Sequence, residues 1–142
     1  MISQKARYAL RALLVLARSG PGHTLMIGEI AAEQKIPKKF LEQILLELKA
    51  GGLVQSRRGR TGGYELIRPA DEVTFGEVLR LIDGPIALLP CLSKVAYRKC
   101  EDCRSEESCE VRHVFAKVAI ASREVLDNTS LAAALAVVEL PI

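Results

Sequence analysis

A mainly α-helical fold with one small β-hairpin is predicted for this chain by three observations. Apolar residues recur at intervals of three and four along most of the 142 residues, which is the period of an amphipathic helix. A basic, glycine-rich segment separates two short stretches with the composition of strands. With 49% apolar and 26% charged side chains, the chain has the composition of a globular domain, which excludes a disordered or collagen-like protein.

The first 50 residues predict three helices. The first covers residues 3 to 18 and is ended by the breakers Ser19 to Gly22. The second covers residues 27 to 34 and ends before Pro37, because a residue that precedes a proline disfavours the helical conformation. The third begins at Pro37, and its apolar stripe at positions i, i+3, i+4 and i+7 consists of Leu41, Ile44, Leu45 and Leu48. Two helices joined by so short a turn form a helix-turn-helix.

A basic-tipped hairpin is predicted directly after the third helix. Residues 53 to 56 and residues 64 to 67 are expected to pair as its strands. The segment between them, from Arg57 to Gly63, contains three arginines and three glycines and is too basic to be buried. A helix-turn-helix followed by such a hairpin is a winged helix-turn-helix.

A fourth helix, a loop and a long helix are predicted in the second half of the chain. Thr74 and Glu77 have the spacing of a capping box, which places the fourth helix between Thr74 and Asp83. Residues 85 to 108 show little periodicity and are expected to form a loop with a function. The long helix runs from about residue 109 to residue 126, and an apolar tail from residue 131 to residue 140 is expected to form a short helix or strand.

The long helix carries a stripe that needs a partner. Its members are Val111, Val114, Phe115, Val118, Ser122 and Val125. We expect this partner to be the same helix of a second subunit, which would make an isologous homodimer. Packing of the stripe against its own domain is the alternative.

Charge is distributed unevenly over the chain. Residues 1 to 70 carry twelve Lys and Arg against five Asp and Glu, whereas residues 71 to 142 carry eight against twelve. The basic half is a candidate surface for a polyanion, although on charge alone a merely solvated basic face explains it as well. No apolar run reaches the roughly 18 residues that a membrane helix needs, so we expect a cytoplasmic protein without a membrane partner.

Seven side chains on the third helix and the hairpin are candidates for binding DNA. A recognition helix presents polar side chains to base edges while its other face belongs to the core. Gln can pair with adenine, Glu can accept from cytosine, and Lys can contact guanine or phosphate, while Arg suits phosphates or a narrow minor groove. The candidates are Lys38, Lys39, Glu42 and Gln43 on the helix and Arg57, Arg58 and Arg60 on the hairpin.

Four cysteines fall within nineteen residues of the loop, at Cys91, Cys100, Cys103 and Cys109. Without a secretory signal a disulfide framework is not expected, and so dense a set of thiols indicates a metal or redox function. An iron-sulfur cluster is favoured, while a structural zinc, a thiol switch and unligated cysteines stay open. His113 lies one helical turn beyond Cys109 and is a further candidate ligand, although a solvated histidine is the commoner situation.

Enzyme chemistry finds little support in the sequence. His23 and His113 are the two histidines, no nucleophile motif surrounds a serine, and the pattern of a catalytic phosphate loop is absent. We therefore expect that the chain is not an enzyme.

Several segments together resemble the winged-helix regulators typified by the iron-sulfur cluster assembly regulator IscR, a family that also includes nitric-oxide, iron and cysteine-metabolism sensors. The segments are Ser3 to Leu10, Phe40 to Leu45, Gly52 to Val54, Arg58 to Tyr64 and the cysteine loop. The resemblance implies a homodimer that binds palindromic promoter DNA, usually as a repressor, with a DNA affinity that depends on its cluster. It also implies that Glu42 and Gln43 read bases and that Arg58 enters the minor groove.

The cysteine loop departs from that family in its greater length between Cys91 and Cys103, in an additional cysteine and in the position of a histidine. Cluster-binding members have three cysteines with five residues between successive ones, and here Cys103 and Cys109 keep that interval while Cys100 is additional. Where the assembly regulator has a histidine ligand, this chain has Arg112. The resemblance therefore implies Cys91, Cys103 and Cys109 as ligands, with Cys100 or His113 as the fourth, and a [2Fe-2S] cluster is favoured over [4Fe-4S].

The sequence thus predicts a redox-, iron- or nitric-oxide-sensing regulator in three parts. Residues 1–83 form the winged helix-turn-helix that binds double-stranded DNA, residues 84–109 the cysteine-rich sensor loop, and residues 110–142 the dimerisation helix and C-terminal tail. Three alternatives are a regulator with a thiol switch, a regulator controlled by a partner protein, and a protein-interaction subunit with a zinc-stabilised loop.

Overall fold

The predicted fold class is confirmed by the computed structural model, which describes residues 2–60 and 62–137. Within these residues six α-helices and one two-stranded antiparallel hairpin alternate with loops. The elements are α1 (Gln4–Ser19), α2 (Ile27–Gln34), α3 (Lys38–Ala50), β1 (Val54–Arg57), β2 (Gly63–Leu66), α4 (Phe75–Asp83), a 3₁₀ turn (Pro90–Leu92), α5 (Glu110–Asp127) and α6 (Leu131–Leu135).

The predicted stripe of α3 forms the centre of the core. Its four members are completely buried, together with Leu13 of α1 and Ile30 of α2. The turn between α2 and α3 is tight because Lys35 adopts a left-handed conformation with φ 53° and Pro37 prevents α2 from continuing. This packing fixes which side of α3 faces away from the protein.

The strands of the hairpin begin and end one residue from their predicted positions. Leu53 stays outside β1, because its N–H group donates to the carbonyl of Leu48 at 2.9 Å and so satisfies the end of α3. Opposite, Leu25 and Tyr64 exchange two backbone hydrogen bonds of 2.9 and 2.7 Å. These bonds attach the hairpin to the segment that precedes α2. The hairpin and its loop, residues 54–66, are called the wing below.

The capping box predicted for α4 is only half formed. The Glu77 N–H group donates to the Thr74 hydroxyl at 3.2 Å, as predicted, but the Glu77 carboxylate pairs with Arg68 instead of returning to Thr74. The backbone around Thr74 is instead held by residues 129–131, since Phe75 N donates to Thr129 O at 3.0 Å and Leu131 N donates to Val73 O at 2.9 Å.

The C-terminal helix α6 returns to the winged-helix core. Leu131 is completely buried there, although the predicted three-part division assigns it to the same part of the chain as the long helix. The tail predicted over residues 131 to 140 is a helix as far as Leu135, and residues 138–140 lie outside the described residues. The segment that follows α5 is therefore attached to the winged-helix core.

Candidate nucleic-acid interface and cysteine cavity

The outer face of α3 presents the four polar side chains that the sequence singles out. Lys38, Lys39, Glu42 and Gln43 are exposed, and they lie opposite the buried stripe. No ion pair or side-chain hydrogen bond holds any of them within the described part of the chain. Their side chains are thus available for contacts with the edges of bases.

The three arginines of the wing have different surroundings. Arg58 and Arg60 are exposed and have no ion-pair partner among the described residues, so both can reach an external phosphate. The Arg57 guanidinium instead pairs with the carboxylate of Glu65. Between the arginines, Gly59 has a φ of 104°, a backbone conformation that favours glycine and lets the loop turn tightly.

Glu65 is a residue of this interface that sequence reasoning missed. It is only 6% exposed, and its Oε1 accepts from Gln55 Nε2 at 2.8 Å as well as from Arg57. A glutamate in an alternating strand normally faces solvent. Its position opposite Gln55, two residues before the basic segment begins at Arg57, is the signal from which this buried hydrogen-bond acceptor could have been found.

Two polar contacts fix α3 to its neighbours. The Lys49 ammonium donates to the Ser56 hydroxyl of β1 at 3.1 Å, and Glu47 pairs with Lys5 of α1. Such exposed pairs contribute little to stability. The Lys49–Ser56 bond positions the end of α3 relative to the wing, and the Lys5–Glu47 pair positions it relative to α1. The helix and the wing therefore form one surface.

All four cysteines line one cavity of 410 Å³, called the cysteine cavity below. It lies between the 3₁₀ turn, the following loop and the first turn of α5. Cys91 and Cys100 approach because Arg98 N donates to Pro90 O at 3.2 Å, and a turn with a 3.1 Å bond from Cys103 N to Cys100 O brings in Cys103. None of these thiols forms a disulfide.

The surroundings of Cys100 in the cysteine cavity disfavour its thiolate form. Burial raises the pKa of Cys100, and so do the anionic forms of Cys91, Asp102 and Cys103 and a hydrogen bond with Cys91. A cation placed among these sulfurs would reverse this effect, because thiols that coordinate a metal are deprotonated.

The first turn of α5 faces the same cavity. Cys109 is the N-cap residue, and its sulfur accepts from Arg112 N at 3.4 Å. Arg112 also lines the cavity, and its buried Nε is without a hydrogen-bond partner among the described residues. An unpaired buried donor and a helix N-terminus both favour negative charge, such as that of a thiolate-ligated cluster.

The donor set therefore fits an iron-sulfur cluster by its chemistry, whereas the ligand geometry is not preformed. Within the described residues no three Cys, His, Asp or Glu side chains stand at positions that would hold a metal ion. Rearrangement of the loop would have to bring the sulfurs together. His113 is exposed on α5 and is not among the residues that line the cavity.

The stripe of α5 is largely exposed in the single chain. Ala119 is the buried residue of this helix, whereas five apolar side chains of the predicted stripe are more than a third exposed, namely Val111, Val114, Phe115, Val118 and Val125. These five residues are called the α5 face below. So continuous an apolar surface is typical of an interaction site.

The far end of α5 is attached to the winged helix through an ion pair. Arg80 of α4 makes two hydrogen bonds with Asp127, of 2.6 and 2.9 Å. The hydrogen bonds with Arg80 lower the pKa of Asp127, and the same bonds raise the pKa of Arg80. One turn earlier on the same helix, Arg123 Nη1 donates to the carbonyl of Leu92, next to Cys91, at 3.4 Å. The helix α5 thus contacts both the cysteine loop and the DNA-binding core.

Residues 2–136 match the family model of Rrf2, described as iron-dependent transcriptional regulators. The chain belongs to the Rrf2 family. An rrf2-like HTH-type transcriptional regulator of Rhodobacter capsulatus is 48% identical over 134 residues, which cover 92% of this chain and 89% of that protein. The family resemblance identified from the sequence is thereby confirmed.

Two solved Rrf2-type structures are similar over most of this chain. The structure of CymR, the global cysteine regulator of Bacillus subtilis, has a TM-score of 0.79 at 30% identity and covers 94% of this chain and 95% of its own. The structure of T. potens IscR has a TM-score of 0.73 at 28% identity and covers 95% of this chain and 85% of its own.

Membership of the Rrf2 family makes this protein a DNA-binding helix-turn-helix transcription regulator. The relatives are named as regulators and not as enzymes, which agrees with the prediction from the sequence. In the described part of this Rrf2 protein, no helix is both long and apolar enough to cross a membrane.

Proposed function

We propose that the protein is a cytoplasmic, homodimeric repressor of palindromic promoter DNA, whose DNA affinity depends on an iron-sulfur cluster in the cysteine cavity. The observation that carries the proposal is that four free thiols line one cavity at the start of the helix that leads to the winged helix. The proposal keeps the division into a winged helix-turn-helix, a cysteine loop and a dimerisation part, with boundaries at residues 84 and 110. The helix α6 of the third part packs against the first part.

DNA binding is assigned to the outer face of α3 and to the wing. Glu42 and Gln43 read base edges, and Lys38 and Lys39 reach phosphate or guanine. Arg58 and Arg60 contact the backbone or the minor groove, and Arg57 positions the wing through Glu65 in addition to any contact with DNA.

The cluster is assigned to Cys91, Cys103 and Cys109, with Cys100 as the fourth ligand. The place of Cys100 in the cysteine cavity and the position of His113 outside it support this choice. When bound, the cluster supplies a group that responds to oxidation, nitric oxide and iron supply. Arg112 lines the cavity and pairs with Glu106 through Nη2, so its unpaired Nε–H group would be the part available to a bound cluster.

Dimerisation is assigned to the α5 face. A second copy of the face would cover the exposed valines and Phe115 and would place two recognition helices on one side of the duplex, where half-sites are about 34 Å apart. Reordering of the cysteine loop would move α5 and, through Arg80 and Asp127, the two winged helices relative to each other.

The proposed function is tested by an absorption spectrum of anaerobically purified protein with iron, sulfide and zinc analysis. We expect broad absorption at about 400 nm or above with matching iron and sulfide, and the spectrum then distinguishes [2Fe-2S] from [4Fe-4S]. Cys103→Ser and Cys109→Ser should lose iron and sulfide together. Full iron and sulfide content in both variants would contradict the ligand assignment, and a colourless zinc protein would instead indicate a structural loop.

A thiol switch is a second candidate function, because Cys91 and Cys100 are free thiols that line the same cavity. Hydrogen peroxide would accept two electrons and two protons from these thiols, giving one disulfide and two waters. Mass spectrometry after mild peroxide treatment would find a Cys91–Cys100 disulfide in cluster-free protein if this candidate holds, and reduced thiols if it fails.

A further inference from the structure

Leu46 has unusual surroundings on the outer face of α3. Its side chain is 62% exposed, and it is the only large apolar side chain among the exposed residues of α3, a helix that the structure describes throughout. A single exposed leucine is common on protein surfaces and means little by itself. The position of this one relative to the base-reading residues is what gives it meaning.

The helix places Leu46 in line with Glu42 and Gln43. Residues four and three positions apart share one face of an α-helix. With a rise of 1.5 Å per residue, Leu46 lies about 4.5 to 6 Å further along the axis. Since stacked base pairs are about 3.4 Å apart, this distance spans at most one or two base pairs along a duplex.

The orientation of Leu46 is fixed by the residues around it. The three leucines and one isoleucine of the buried stripe prevent rotation of α3, because each is completely buried. On either side in the sequence, Leu45 belongs to that stripe and Glu47 pairs with Lys5. Lys49, the next exposed position one turn on, is held by Ser56 at 3.1 Å. Leu46 is therefore presented outward by a rigid frame.

The chemistry of the major groove favours one partner for a leucine. Thymine displays a C5 methyl group there, whereas the edges of guanine, adenine and cytosine display polar groups. Leucine cannot satisfy a polar edge that it removes from water, so such a contact would be unfavourable. A thymine methyl is therefore the base feature that Leu46 can recognise.

We infer that Leu46 is a specificity-determining residue that contacts the C5 methyl of a thymine, one or two base pairs from the pair read by Glu42 or Gln43. The inference rests on the proposed DNA binding through α3. It adds a hydrophobic contact to an interface that otherwise consists of polar and charged groups.

The test uses uracil, which is thymine without the C5 methyl. The sequence bound by the full-length protein is first selected from random duplex DNA, and each thymine of one half-site is then replaced by uracil in turn. We expect one position at which the replacement weakens binding about fourfold, the effect of removing one buried methyl group. In Leu46→Ala, the same uracil should cause no further loss.

Lys39→Ala provides the matched control, because it alters the same helix face and leaves Leu46 in place. This variant should bind all duplexes more weakly but keep the uracil effect. Leu46→Ala should retain the circular dichroism spectrum and melting temperature of the unchanged protein, since its side chain is exposed.

Two outcomes would overturn the inference while leaving the proposed function intact: salt-dependent DNA binding without a uracil effect at any position, or an undiminished uracil effect in Leu46→Ala. A protein with no salt-dependent DNA binding would overturn the proposed function and this inference together.

Discussion

The two ends of α5 differ in how much buried core packs against them. Near Asp127, Leu126 packs against the large buried core that includes residues of α1, α3 and α6. Among the described residues, the part of α5 between Cys109 and Ala119 packs against a small second cluster, which contains Cys91 and Leu92. The end near Asp127 is therefore complete in the single chain, whereas the end near Cys109, called the sensor end after its proposed role, has free thiols and an arginine nitrogen without a hydrogen-bond partner among the described residues.

This difference indicates which end of α5 would change in structure when a cluster or a second subunit binds. A completed core changes little when something binds, whereas an end with few buried contacts reorganises at low cost. A cluster and a second subunit would both add contacts at the end that lacks them. We therefore expect the structure of the sensor end to change when a cluster or a second subunit binds.

The largest expected effect concerns the completed end. Leu45→Ala removes a fully buried side chain from the α3 stripe and should lower the free energy of unfolding by about 2 to 5 kcal/mol. Urea-induced unfolding followed by circular dichroism measures it. Leu46→Ala, one residue further along, is the matched control and should change stability by less than about 0.5 kcal/mol. Similar losses in both variants would contradict the described orientation of α3.

Val114→Asp tests the α5 face. A charge placed within an apolar interface loses its water, so we expect the dimer to weaken by at least about a hundredfold, while the helical content is retained. Sedimentation velocity over a range of protein concentrations measures this. Lys117→Ala changes an exposed residue of the same helix outside the α5 face and should leave the dimer unaffected. An unchanged dimer in Val114→Asp would place the interface elsewhere.

The stability that the Arg80–Asp127 ion pair between α4 and α5 contributes should depend on pH. Because Arg80 lowers the pKa of Asp127, the ion pair contributes stability above the ordinary Asp pKa of about 3.9 and loses it as the pH falls through the lower pKa of the folded state. Both side chains are partly exposed, so Asp127→Asn should cost only about 0.5 to 1 kcal/mol at pH 7.

This difference between Asp127→Asn and the unchanged protein should begin to shrink as the pH falls below the ordinary Asp pKa. Thermal unfolding at pH 7, 5 and 3 measures it. A difference that stays constant over this range would show that the charge of Asp127 does not contribute to stability through Arg80.

The smallest expected effect concerns the wing. Arg58→Ala removes a free guanidinium and should reduce the slope of log affinity against log salt by about one. Fluorescence anisotropy with a DNA duplex between 50 and 200 mM salt measures the slope. Lys117→Ala, distant from the wing, should leave the slope unchanged. Binding that does not respond to salt in any variant would contradict the DNA-binding surface itself.

The completed end was also the more predictable one. The stripe of α3, the Thr74 N-cap and the extent of α2 follow from local spacing, because each depends on residues close in sequence. The exceptions involve distant partners: Glu65 is buried because Gln55 and Arg57 satisfy it, and Glu77 pairs with Arg68 instead of its own helix end.

At the sensor end, the sequence predicts the residue types of the site but not their arrangement. The four cysteines are evident from the sequence, whereas their common cavity depends on the turns that connect Pro90 with Arg98 and Cys100 with Cys103. Nothing in the local pattern indicates that Arg112 faces this cavity or that His113 does not. A loop without periodicity gives no basis for such placements.

The most direct test of the account compares the DNA affinity of one protein preparation before and after anaerobic removal of its cluster. Iron and sulfide content verify the two states, and salt concentration is held constant. We predict that the two affinities differ by at least about tenfold, the range of an ordinary allosteric coupling. Equal affinities for the verified cluster-bound and cluster-free proteins would contradict the claim that the cysteine cavity controls DNA binding.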